Sequence, residues 1–119
     1  MIDSILTSVK KYLGFEEEYT VFDEDIIMHI NNVFNTLTQI GCGPEEGFVI
    51  ADASTTWDDY NPGNKTKNLT VINMVKEYMF LKVKMIFDPP SSSAVSQAYE
   101  NKAAECEWRI RIECDPAEE

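Results

Sequence analysis

Apolar residues recur at the spacing of an α-helix in four stretches of the chain. The first ends at Gly14, the second covers residues 23–40, the third covers residues 69–87, and the fourth follows three serines at 91–93. Residues 42–69 have no such period and include turn-forming glycines and prolines. The pattern predicts an all-α fold, a small bundle of about four helices with one long irregular loop, about residues 42–69, between helices 2 and 3. A single domain over residues 1–119, with a frayed tail at about 115–119, is expected.

The second predicted helix has the clearest signals. Its apolar side chains step by four and three residues and so form one stripe along the helix. Asp23 is a favourable residue to cap the first turn, and Gly41 is a favourable residue to end the helix. The stripe consists of Ile26, Ile30, Val33, Leu37 and Ile40.

The third predicted helix is apolar on nearly every side, which is typical of a helix at the centre of a bundle or in a subunit interface. It is expected to stop before Pro89, because the residue that precedes a proline is driven out of helical geometry. Four charged residues interrupt the apolar run, which therefore cannot span a bilayer. They are Lys76, Glu77, Lys82 and Lys84.

The charge balance excludes several classes of partner. Ten Lys and Arg against 21 Asp and Glu give the 119-residue chain a net charge of −11 at pH 7. Binding to phosphate backbones depends on cationic side chains, and so does docking on anionic lipid. Unaided binding to nucleic acid or to a membrane is therefore not expected.

The cysteines and the first residues indicate a reduced compartment. Cys42, Cys106 and Cys114 include no Cys-x-x-Cys spacing, so neither a zinc cluster nor a disulfide framework is predicted. Asp3 stands where a signal peptide has cations, and no apolar segment with a small-residue cleavage site follows. These features favour a bacterial-type cytoplasm.

No catalytic residue, metal site or cofactor is predicted. His29, the only histidine, falls on the polar face of helix 2 with no Cys or Ser nearby to activate. The acidic runs lack the spacing of a calcium loop, and the turn at 41–44 lacks the Lys-Ser/Thr pair of a phosphate-binding loop. The chain is therefore not expected to be an enzyme.

Aromatic residues in polar surroundings are the best candidates for contact with another protein. Trp57 and Tyr60, in the irregular loop, either fold back over the core or anchor a partner. In helix 4, Trp108, Ile110 and Ile112 alternate with charged residues, so one helix cannot bury all three on one face. The candidate interface residues are Trp57, Asp58, Tyr60, Pro62, Trp108, Arg109 and Ile112.

Several segments of the chain resemble those of a phage protein family. They are DEDIIMHIN at 23–31, LTQIG at 37–41, GPEEGF at 43–48, YMFLKVK at 78–84, FDPPSSSAV at 87–95 and EWR at 107–109. Together they are similar to the head-tail connector proteins, also called adaptor or head-completion proteins, of long-tailed bacteriophages. Residues 61–69 form a longer stretch than the family pattern has.

The resemblance implies a helical bundle with a long loop and no catalytic residues. Such proteins assemble as rings, commonly dodecamers, beneath the portal protein and join the DNA-filled head to a stopper, neck or tail-completion protein. Their contacts are made by the long loop and the terminal segments. Packaged DNA would pass through the lumen without specific binding, since an acidic wall repels phosphate. The expected location is the head-tail junction of the virion, after assembly in the bacterial host cytoplasm.

Two other functions are compatible with the residues alone. A small acidic regulator, or a DNA-mimicking inhibitor of a basic host protein, would explain the charge and would be a monomer or dimer. A small hydrolase with clustered carboxylates would need two acids held across a cleft.

Overall fold

The computed structural model describes residues 4–43, 46–60 and 68–114. Within these ranges the chain forms four helices and no strand: α1 at Ile5–Leu13, α2 at Asp23–Gln39, α3 at Asn68–Phe87 and α4 at Ser93–Cys114. One isolated antiparallel bridge, between Ser4 and Thr56, joins the start of α1 to the long loop. The predicted all-α bundle with its loop between α2 and α3 is confirmed. Pro62 and the predicted tail lie outside the described residues.

The ends of α1 are fixed by its own neighbours in sequence. The Ser4 side-chain oxygen accepts a hydrogen bond from the Thr7 N–H at 3.2 Å and caps the first turn. Gly14 has a φ of 95°, a left-handed conformation that glycine adopts without steric penalty, and its N–H donates to the last carbonyls of α1. Helix α1 therefore stops where the glycine was expected to stop it.

The cap of α2 differs from the prediction. Phe22 occupies the cap position without any side-chain cap bond, and Asp23 is the first helical residue. The Asp23 carboxylate instead lies 2.9 Å from the ammonium group of Lys10. Since an ion pair of this kind is stronger than a neutral cap bond, the long-range partner takes the carboxylate away from the helix end.

Helix α3 lies at the centre of the bundle, as its apolar surface predicted. It packs against α1, α2 and α4, and it is buried on several sides. Its buried residues are Val71, Val75, Tyr78, Met79, Leu81 and Val83. Helix α4 packs chiefly against α3 and buries a narrow stripe there, which consists of Ala103, Cys106 and Ile110.

The described part of the long loop is bonded to the first two helices. The Asn31 side chain of α2 accepts from the Ile50 N–H at 2.8 Å and donates to the Ile50 carbonyl at 3.0 Å. The Ile5 N–H donates to the Thr55 carbonyl at 3.0 Å. These bonds satisfy backbone groups that no strand partner satisfies, so residues 46–60 cover the bundle in a defined path.

Candidate functional site

The two loop aromatics are buried in the core of the bundle. Trp57 is 2% exposed and Tyr60 is 1% exposed. The indole N–H of Trp57 donates to the Ser8 hydroxyl at 3.0 Å, while the Tyr60 hydroxyl donates to the Cys42 sulfur at 3.3 Å. Both rings pack around Phe34, at centroid distances of 6.3 and 5.0 Å. Of the two interpretations that the sequence left open, the structure favours core cover for both aromatics.

The turn at Gly43 is shaped by Tyr60. A Cβ atom at position 43 would lie 2.8 Å from Cε1 of the Tyr60 ring, closer than side chains approach one another. Gly43 also has a φ of 90°, in the left-handed region. Glycine is therefore required here on two counts. Asp58, between the two buried aromatics, remains exposed to solvent.

The C-terminal end of α4 presents apolar side chains to solvent. Trp108 is 64% exposed and Ile112 is 42% exposed, whereas Ile110 between them is fully buried against α3. Residues two apart on a helix point about 200° apart, so the burial of Ile110 turns its neighbours outward. Met74 of α3 lines an open groove of about 320 Å³ together with Trp108, Arg109, Ile112 and Glu113. We call Met74, Trp108, Arg109, Arg111 and Ile112 the α4 patch.

Both arginines of the chain belong to the α4 patch. Arg109 pairs with Glu105 at 3.2 Å and Arg111 pairs with Glu107 at 3.0 Å, each over one helical turn. The arginine side chains nevertheless stay 58% and 54% exposed. Because a guanidinium group has five N–H donors, each arginine can donate hydrogen bonds to a further carboxylate. Exposed ion pairs of this kind add little to stability, so the arginines are available for recognition.

An aromatic cluster lies at the other end of α3. The rings of Phe15 and Phe22 contact the ring of Phe87, at centroid distances of 5.8 and 5.4 Å. Tyr19 stacks on Phe15 but is 45% exposed, and Val21 beside it is 69% exposed. Five exposed acids surround them: Glu16, Glu17, Glu18, Glu24 and Asp25. We call Tyr19, Val21 and these five acids the acidic end.

The sequence interpretation did not single out the acidic end. Phe15, Tyr19 and Phe22 are separated by four and three residues, a helical spacing, yet they lie between α1 and α2. A cavity of about 520 Å³ opens here, lined by Gly14, Phe15, Glu16, Glu18 and Tyr19. The aromatic spacing was the signal that could have drawn attention to this surface.

Buried Lys10 holds the acidic end to α1. Its ammonium group donates to the Glu17 carbonyl at 2.9 Å and lies 2.9 Å from the Asp23 carboxylate. The lysine side chain is 3% exposed and that of Asp23 is 25% exposed. One cation thus joins the last turn of α1, the connecting loop and the first turn of α2.

Two side chains packed between α3 and α4, Cys106 and Tyr78, have raised pKa values. Burial, the negative charge of Glu77 and a hydrogen bond to Glu77 together raise the pKa of the Cys106 thiol to about 11. Burial also raises the pKa of Tyr78, whose hydroxyl donates to Glu107 at 3.2 Å. Both groups therefore stay protonated at neutral pH. Since a thiol nucleophile acts as the thiolate, Cys106 is held in its unreactive form.

The described residues contain no group of three or more His, Cys, Asp and Glu placed to hold a metal ion. Among the described helices, none combines the length and the apolar character that crossing a membrane requires. His29 is half-buried, with its ring edge against Phe87. What the described geometry offers is therefore two exposed surfaces, the α4 patch and the acidic end.

Comparison with known protein families assigns the chain to one of them. A family model described as phage connector protein matches residues 5–117, which include all four helices and the long loop. No curated protein and no solved structure matches. The match confirms the resemblance to head-tail connectors noted in the sequence, and the chain therefore belongs to the phage connector protein family, whose role is that of a structural connector in the virion.

Proposed function

We propose that the protein is a non-enzymatic adaptor at the head-tail junction of a phage virion. In this role it oligomerises as a ring of twelve copies under the portal protein and joins the head to a stopper, neck or tail-completion protein. The observation that carries the proposal is the connector-family match over residues 5–117. Exposed Trp108 and Ile112 support it, because large apolar side chains on a small protein's surface suit contact with other chains.

The experiment is electron microscopy of the protein alone and mixed with portal-bearing heads, with mass measurement of each sample. Rings, or added density at the portal vertex, are expected. A protein that remains monomeric and never joins the heads would overturn the proposal and would favour the acidic regulator instead.

A matched pair of variants makes this experiment specific. Trp108→Ala removes an exposed aromatic from the α4 patch, while Met28→Ala removes a large side chain of similar exposure, 54%, from α2, outside the long loop. If the α4 patch makes virion contacts, Trp108→Ala lowers incorporation into heads and Met28→Ala leaves incorporation nearly unchanged. Equal incorporation of both variants would exclude Trp108 from the contacts.

The proposed ring also passes DNA without binding it. A net charge of −11 supports this, because like charge repels the phosphate backbone at the lumen wall. Neutralising acids that line the lumen should slow DNA ejection from assembled virions. Ejection kinetics that are unchanged in every acid-to-amide variant would contradict this part of the proposal.

A further inference from the structure

We infer that the α4 patch docks on the acidic end of a second copy of the chain, so that neighbouring copies join head to tail. The inference deepens the proposed function, on which it rests, by assigning the two faces of the ring contact. The partner that docks on each surface is a second copy of this chain.

The two surfaces lie well apart along the central helix. Met74 borders the α4 patch, and Phe87 carries the aromatic cluster of the acidic end. Thirteen residues of α-helix separate them, which is about 20 Å along the axis. One copy therefore cannot bring its own α4 patch onto its own acidic end, and the contact has to form between copies.

Each surface offers apolar area that the rest of the bundle leaves exposed. On one surface Trp108 is 64% exposed, and on the other Val21 is 69% and Tyr19 is 45% exposed. Aromatic residues contribute much of the binding energy in protein interfaces, especially when charged residues surround them and exclude water. A tryptophan beside two arginines on one side, and a tyrosine beside glutamates on the other, fit this pattern.

Charge decides the orientation of the contact. The α4 patch holds both arginines of the chain, each more than half exposed, whereas the acidic end holds five exposed carboxylates. Two acidic ends facing each other would repel, whereas in two facing α4 patches each arginine would meet Glu105 or Glu107, which an arginine already pairs. The pairing of unlike surfaces instead brings the arginines to a cluster of five exposed carboxylates, and like-charge juxtaposition across an interface is costly.

A contact between unlike surfaces has a geometric consequence. In a pair joined by this contact, one copy keeps a free α4 patch and the other keeps a free acidic end. Further copies can therefore add until the rotation closes a ring, or the assembly continues as a filament. A contact between like surfaces would stop at a dimer.

The test uses two variants that each lose one surface. The patch variant carries Trp108→Ala and Ile112→Ser, and the end variant carries Tyr19→Ala and Val21→Ser. All four side chains are more than 40% exposed, so both variants are expected to fold, which circular dichroism checks. Sedimentation velocity should show self-association of each variant weakened about tenfold or more relative to the unaltered chain.

Mixing the two variants gives the decisive result. Each variant retains the surface that the other lacks, so an equimolar mixture forms a one-to-one dimer and nothing larger. A mixture without the dimer, or a variant that associates as strongly as the unaltered chain, would overturn the inference.

Disulfide crosslinking in assembled heads provides a second test. The chain with Val21→Cys and Ile112→Cys is used in a Cys114→Ser background, since Cys114 ends α4 two residues from Ile112. Oxidation should give a ladder of crosslinked copies, and each single-cysteine control should give none. A crosslinked dimer from Val21→Cys alone would demonstrate a contact between like surfaces and refute the assignment.

The two proposals fail in different ways. Normal virion incorporation with neither dimer nor ladder would refute the assigned contact and leave the connector role intact. Dimer formation by a chain that never enters virions would refute the connector role and leave the assigned contact intact.

Discussion

At the scale of single residues, the two tryptophans have opposite environments. Trp57 is surrounded by core rings and donates its indole N–H to Ser8, while Trp108 is mostly exposed on α4. Lys76 lies 5.7 Å from the centre of the Trp57 ring, which adds a cation–π contact. Trp57 therefore contributes to the stability of the single chain, and Trp108 is available to other chains.

Replacement of each tryptophan by alanine separates these roles. Trp57→Ala should lower the free energy of unfolding by about 3–5 kcal/mol, because it leaves a large cavity and removes the hydrogen bond from the indole to Ser8. Trp108→Ala should change it by less than about 0.5 kcal/mol, as for other exposed positions. Urea unfolding, followed by circular dichroism, measures both values. Similar losses in the two variants would contradict the assigned environments.

The Cys106 thiol makes stability depend on alkaline pH. Its pKa is raised from 9.0 to about 11 in the folded chain, so the folded state holds the proton more tightly than the unfolded state. The resulting stabilisation is complete below about pH 9 and is lost as the pH rises through about 11.

The Cys106 contribution can be isolated by comparison with Cys106→Ala. The stability difference between the unaltered chain and this variant should shrink as the pH is raised from 8 to 11. Chemical unfolding under reducing conditions measures that difference, and the comparison cancels the titration of groups that do not interact with Cys106. A difference that is constant over this range would show that Cys106 does not titrate as assigned.

At the scale of helices, α1 and α2 are joined by a buried cation and α4 is attached by a shallow stripe. Lys10 has almost no exposure and contacts two separate segments. Helix α4, with 22 residues, fully buries Ala103, Cys106 and Ile110 among its described side chains, and most of its first half is exposed. Helix α4 is therefore held by α3, the helix against which it packs most extensively, whereas α1 and α2 are also joined by a buried ion pair.

The Lys10–Asp23 pair can be measured by a double-mutant cycle. Lys10→Met should lower the free energy of unfolding by about 1–3 kcal/mol, since it leaves a mostly buried carboxylate without its cation. The coupling energy with Asp23→Asn should be about 1–2 kcal/mol. The Arg109–Glu105 pair, at 3.2 Å over one turn of α4 with both side chains about half exposed, is the control and should couple by less than about 0.5 kcal/mol. Equal coupling in the two pairs would contradict the importance of burial.

Helix limits could be predicted from the sequence because they depend on neighbouring residues. Gly14 ends α1 and the prolines at 89 and 90 follow the end of α3, as expected. The role of Asp23 could not be predicted, because its partner Lys10 lies 13 residues away. Trp57 and Trp108 gave the same signal in sequence, and only tertiary packing separates the buried ring from the exposed one.

At the scale of the whole molecule, negative charge is unevenly spread. The chain has a net charge of −11, and five exposed carboxylates gather at the acidic end, whereas both arginines lie on α4 and are each paired with a glutamate. Self-repulsion of this kind opposes compaction and is screened by salt. Negative charge is therefore expected to be unequal along α3, and the stability of the folded chain is expected to depend on ionic strength.

Added salt should stabilise the folded chain. Between about 10 and 200 mM sodium chloride we expect the melting temperature to rise by about 2–4 °C, since screening relieves repulsion among carboxylates. Replacing Glu16, Glu17 and Glu18 by glutamine should reduce this rise, because the three are exposed beside Glu24 and Asp25. Differential scanning calorimetry measures both. A melting temperature that falls with salt would indicate that ion pairs outweigh repulsion.

The order of the two surfaces along the chain has a consequence during translation. The ribosome makes the acidic end, whose residues lie between 16 and 25, well before it completes the α4 patch at residue 112. In the proposed head-to-tail arrangement, a nascent chain can receive a finished neighbour but cannot dock on one itself. The order of synthesis thus keeps two unfinished chains on the same messenger RNA from joining each other, and it leaves growth of the assembly to completed subunits.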